Sequence, residues 1–129
     1  MSALTDRDFE RLLRFRDELR RFLHWSEAAA KDLGLTPAQH QLLLAVRGHP
    51  GGDPSIGDIA DHLMLRHHSA VELVDRAEAA DLVRRVADAD DHRIVRLTLT
   101  ARGNRLLTRL SAAHIEELSR FNALPARLA

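Results

Sequence analysis

Four consecutive residues, Arg66-His67-His68-Ser69, can all donate hydrogen bonds, and they lead into a helical pattern of apolar positions at Ala70, Val71, Val74 and Ala77. A helix that begins this way offers an anionic partner both its side chains and its own first N–H groups. The chemistry that suits is contact with phosphates, and the competing reading is an exposed polar helix start. His67 and His68 are poor metal ligands, because neighbours on a helix point about 100° apart and no cysteine or third ligand is evident nearby. A second cation, Arg93, closes the acidic run "DADDHR" at 88–93. Asp91 lies two residues before it, on the same side of an extended segment, where it can orient the guanidinium or instead pair with Arg96 or Arg85. The acidic residues would repel phosphate, so they must face away or be paired. Arg84, Arg85 and Arg96 are further candidates for phosphate contact, against the reading of each as a solvated strand arginine.

The elements that hold these residues are legible from periodicity and punctuation. Residues 6–31 carry Phe9, Leu12, Leu13, Phe15, Leu19, Phe22 and Leu23 at helical spacing, a face too wide for one small domain to cover. Such a helix is either core or a subunit interface. In "LTPAQHQLLLAVRGHPGG", Thr36 is placed to cap a helix, with Pro37 in its first position and Gln39 where a capping box needs it. That helix stops at Gly48, before the chain's one Pro/Gly-rich loop. Ser55 and Asp58 form a second capping-box pattern for a short helix with Ile56, Ile59, Ala60 and Leu63 inward. The chain then turns around residues 64–67 and restarts, which is helix-turn-helix spacing. "LVRRV" and "IVRLTL" read as a two-stranded hairpin. Thr100 caps a last helix with Leu107, Leu110, His114, Leu118 and Phe121 on one stripe, and the tail frays after Pro125. A helix-turn-helix followed at once by a hairpin is a winged helix. The expected fold is therefore mainly α, with a two-stranded β-hairpin wing that must pack on the helices beside it.

The 129 residues fit a single domain, and zero formal net charge provides no global argument for a nucleic-acid partner. Lys31 is the only lysine beside 18 arginines, which reads as genome composition. The absence of cysteine removes disulfides, thiolate metal sites and thiol redox sensing. The charged start "MSALTDRDFE" is unlike a secretory signal and no apolar run approaches a membrane span, so a cytoplasmic protein without a membrane partner is expected. There is no Gly-rich phosphate loop or His-x-x-x-His pair, and neither an enzyme nor a cofactor is expected.

The run "LVRRVADADDHRIVRLTLTARG" resembles the wing of the MarR (multiple antibiotic resistance regulator) transcription factors. Their Asp-x-Arg, five residues, Leu-Thr-x-x-Gly pattern is matched by Asp91, Arg93, Leu99, Thr100 and Gly103. "HLMLRHHSAVELVDRAE" resembles the family's recognition helix and "LTPAQHQLLLAV" its second helix, so the resemblance spans roughly residues 6–122. It implies dimerisation helices at 6–31 and 100–124 around a winged-helix DNA-binding region at 36–99. It also implies a homodimeric repressor on double-stranded DNA with a pseudo-palindromic operator. Arg66, His67, His68, Ser69, Arg85, Arg93 and Arg96 would contact DNA, with Asp91 positioning the wing. A small aromatic or anionic effector is implied between the two regions, where Phe22, Trp25, His40 and Leu44 are candidates, though a core role suits each of them too. The alternative is a winged helix used for protein contact or as a structural module on DNA, without ligand response. Three departures stand out: Asp81 replaces a usual Gly, Ala77 a usual larger apolar residue, and the C-terminal part is short. Gly103 is read as permitting close packing in the first turn of the last helix.

Overall fold

The computed structural model describes residues 3–121. The order is α1 (Asp6–Asp32), α2 (Pro37–Gly48), α3 (Ile56–Leu63), α4 (His67–Ala79), β1 (Val83–Ala87), β2 (Val95–Leu99) and α5 (Ala101–Leu118). Capping chemistry sets most of these starts. Thr5, Thr36, Ser55 and Thr100 each accept a hydrogen bond from the backbone N–H three residues on, and the first three form full capping boxes with Asp8, Gln39 and Asp58.

The core gathers Leu42, Leu43 and Val46 of α2, Ile59 of α3, Val74 and Ala77 of α4, Leu82, Val83 and Leu97 of the wing, and Leu107 and Leu110 of α5. α3 and α4 thus cross on α2 as a helix-turn-helix, and the hairpin closes the same core. Val83 pairs with Leu99 and Ala87 with Val95 in one antiparallel ladder. Only Leu97 of β2 is fully buried, as the period of two requires when one face packs on helices. The ladder continues past the hairpin: Leu97 N–H donates to Pro54 O at 2.9 Å, and Ser55 bridges to Arg96. The Pro/Gly loop therefore ends in a strand-like edge, a feature its composition conceals.

Among the described residues two take a left-handed backbone without being glycine, Met64 and Asp81, so Asp supplies the conformation at the position where the resemblance expects Gly. Ala77 is fully buried. α5 stops at Leu118 rather than running on: Arg120 N–H and Phe121 N–H reach back three residues, to Glu117 O and Leu118 O, and tighten the last turn. Phe121 still meets Phe22, with ring centroids 6.0 Å apart. The expected helix at 122–124 and the fraying after Pro125 lie outside the described residues.

Of α1, only Ser26 and Ala30 are buried, while Phe9, Leu12, Leu13 and Leu23 stand 51–62% exposed. At 100° per residue these four fall within about 100° of one another, a single apolar face that the described residues do not cover. Among the described residues no helix is long and apolar enough to cross a membrane.

Candidate nucleic-acid interface

The N-terminus of α4 is the first part of the site. Arg66 holds the cap position in an extended conformation, but no side chain bonds the first turn. Ala70 N–H donates to Arg66 O, so the amides of His67, His68 and Ser69 precede the helical ladder and point out of its end. Arg66, His67 and His68 are exposed and Ser69 is half-buried. Each of the other four helices has its first turn closed by a Ser or Thr; α4 presents uncapped N–H groups, a partial positive charge and two to three cationic or donor side chains together. The sequence signal was available: an arginine stands where the others have a hydroxyl.

The wing is the second part. Arg93 Nε and Nη2 donate to Asp91 Oδ1 and Oδ2, both at 3.0 Å, and Arg93 N–H also donates to Oδ1. This fork-on-fork geometry holds an otherwise solvent-exposed guanidinium in one orientation and leaves three of its five N–H groups free. Asp91 is fixed in turn by its own N–H, which donates to Asp88 Oδ2 at 2.9 Å. Asp88 Oδ1 accepts from Arg96 Nε at 3.0 Å, and Arg96 Nη1 reaches Asp53 O. The Arg93 hydrogen bonds, from side chain then backbone, hold the Asp91 carboxyl below the usual carboxylate range. The Arg96 guanidinium, followed by the Asp91 and Asp90 amides, does the same for Asp88. Two of the wing's acids are therefore committed to arginines, and the expected opposition between acids and phosphate is removed by pairing. Of the partners left open for Asp91, the geometry selects Arg93.

Arg85 is placed differently from the expectation. Its Nη2 meets Asp75 Oδ1 and its Nη1 Glu78 Oε1, both at 2.6 Å, and its N–H donates to Glu78 Oε2. Partial burial works against its charge, yet the two carboxylates hold it above its ordinary value. Both partners lie on α4, so Arg85 braces the wing to the helix. Arg84, the next strand residue, is exposed.

Of the effector candidates, Phe22, Trp25 and His40 come together and Leu44 does not; it is 48% exposed on α2. The centre of the group is His114. Its ring lies 4.7 Å from Trp25, 4.8 Å from His40 and 5.9 Å from Phe22, so rings fill the junction of α1, α2 and α5. His114 Nδ1 sits 2.6 Å from Leu110 O, which can only accept, so Nδ1 carries the proton. Nε2 then accepts from Ser26 Oγ at 2.6 Å. The Ser26–His114 pair was invisible in the sequence because the two residues are 88 positions apart. Burial, then the nearby His114, pushes His40 below its usual 6.5. An unfolded chain thus takes up the proton more readily than the folded one. Stability is complete above about pH 6.5 and declines as pH falls below it. A melting-temperature series from about pH 7.5 to 5.5 should show that decline, and it should shrink in His40→Gln.

Residues 33–94 match the family model described as MarR family. The chain is 30% identical over 71 residues to the HTH-type transcriptional repressor MdtR of Bacillus subtilis, covering 55% of this chain and 44% of that one. The curated relatives it matches are thus aligned over less than half of their length. Among solved structures, a MarR family protein from Bacillus stearothermophilus superposes with a TM-score of 0.75 at 25% identity, over 92% of this chain and 81% of the other. An S. aureus MepR variant bound to an oligodeoxyribonucleotide does so with a TM-score of 0.70 at 20% identity, over 92% and 81%. From the turn before α2 to the tip of the wing the chain thus matches the MarR family model, and over most of its length it shares the winged-helix fold of these solved structures.

Proposed function

We propose that the chain is a sequence-specific DNA-binding transcription regulator that works as a homodimer. The uncapped N-terminus of α4, carrying Arg66, His67 and His68, is the observation that supports this most directly. It suits entry into a major groove, with Arg66 at base edges and the free amides at a phosphate. Arg93, oriented by Asp91, reaches a flanking phosphate or the minor groove with its remaining N–H groups. Arg96 acts by holding Asp88 and Arg85 by holding α4. The DNA in the MepR complex, bound to the same fold, supports the choice of partner. The uncovered face of α1 suits a second copy, which would set two recognition helices about one helical turn apart on a pseudo-palindrome. Repression fits the relative MdtR. An effector would have to part the Trp25–His114–His40 cluster, which joins the α1 and α5 pair to α2.

Selection of bound duplexes from a random pool with the full chain tests the proposal, and recovery of no sequence would sink it. On a recovered duplex, Arg93→Ala should weaken binding across sequences and reduce the slope of log affinity against log salt by about 1. Arg66→Ala should cost about 1–3 kcal/mol and relax the preference at one base position. Uniform weakening across all sequences by Arg66→Ala would reassign it to a phosphate.

A further inference from the structure

Met64, between α3 and α4, is 92% exposed and adopts φ 55°, ψ 44°. The hydrogen bonds around it define a helix ending that ordinarily takes glycine. Leu65 N–H donates to Ala60 O at 2.9 Å, and Met64 N–H reaches Asp61 O. In this ending the left-handed position goes to glycine or asparagine, because a Cβ there is crowded by the following carbonyl. Leu65, 37% exposed, follows the left-handed residue, a position where this ending frequently carries an apolar residue. Met64 has no such account: a long apolar side chain sits at a strained position with nearly all of its surface in water.

Its neighbours say what it would meet. Residues 64–68, Met-Leu-Arg-His-His, form one unbroken exposed run leading into α4. A surface that brings Arg66 and His67 against a groove brings Met64 to the same groove within two residues. The apolar feature that the major groove offers is the thymine methyl. Methionine's flexible thioether suits an adaptable contact with it.

We infer that Met64 is a specificity-determining residue, making an apolar contact with a thymine methyl beside the bases reached from the N-terminus of α4. This rests on the DNA-binding reading given above. Backbone strain is kept here because a side chain is needed where glycine would be easier, a trade seen at functional positions.

The test uses the full chain and a duplex recovered by the random-pool selection, in two forms, one with thymine and one with deoxyuridine in its place. Met64→Gly and Met64→Asn both accept the left-handed backbone, and Asn does so without adding chain flexibility. Both variants should melt no lower than the wild type. Both should bind the thymine duplex about four-fold more weakly, the worth of one buried methyl-sized group. Deoxyuridine should cost the wild type a similar factor and the variants nothing. The inference is overturned if the variants keep full affinity for the thymine duplex, or if deoxyuridine costs them as much as it costs the wild type. It is overturned too if both melt well below the wild type, which would make Met64 a packing residue. In each of these cases a loss of affinity in Arg66→Ala leaves the DNA-binding reading standing. A pool that yields no bound duplex removes both.

Discussion

Gly103→Ala should destabilise the fold by about 3 kcal/mol and lower the melting temperature by roughly 10 °C, although alanine is the better helix former. Gly103 is buried in the first turn of α5. A Cβ built on it overlaps the Leu82 carbonyl oxygen and lies 3.0 Å from the carbonyl carbon. Both are backbone atoms, so no side chain can swing aside. That oxygen also accepts from Thr100 N–H at 3.1 Å, while Thr100 Oγ1 donates to Asp81 O at 2.7 Å and accepts from Gly103 N–H at 3.0 Å. A methyl group therefore has to pry apart the seam joining the end of α4, the start of β1 and the cap of α5. Gly57→Ala serves as the opposite case. Its Cβ would sit 3.6 Å from Ser55 Oγ, an ordinary contact, and the change should raise stability by about 0.5 kcal/mol. Denaturant titrations of the pair would show the two signs; equal effects would mean that the seam yields.

Leu12→Glu should leave the isolated chain folded and weaken self-association by about 100-fold. Leu12 is 61% exposed on the α1 face shared with Phe9, Leu13 and Leu23, so a carboxylate there stands largely in water. Buried against a second copy it would lack a partner, and an unpaired buried charge costs several kcal/mol, of which about 2.7 kcal/mol is a factor of 100. Sedimentation across a concentration series reads the result directly. An unchanged mass at every concentration would move the dimer contact off this face. Weaker binding to a palindromic duplex, with single half-site binding retained, would tie assembly to recognition.

The parts legible in the sequence were those with local causes. Thr36, Ser55 and Thr100 announced their helices because a hydroxyl three residues before an amide is a short-range device. The Leu99-Thr100-x-x-Gly103 spacing announced a contact because only glycine fits against Leu82. Asp91 and Arg93 are near neighbours in the chain, so their pairing was one of the alternatives the sequence offered, although a turn closed by Ile94 N–H on Asp91 O, and not an extended segment, brings them together. Arg85 was placed among the DNA contacts because its commitment to Asp75 and Glu78 depends on how the wing folds back on α4, which no spacing encodes. The same holds for Ser26 and His114, and for the Pro54–Ser55 edge, where a proline-rich loop pairs through a carbonyl and needs no N–H of its own.

The Arg85 brace has a mechanical consequence. Two carboxylates of α4 and one arginine of β1, with a backbone amide added, lock the wing to α4 within a single chain. The two parts proposed to meet DNA form a caliper whose jaws are not reset relative to each other without breaking that lock. On the proposed reading as a DNA-binding homodimer, a signal that changes DNA affinity while the lock holds would have to alter the spacing or tilt between two whole calipers.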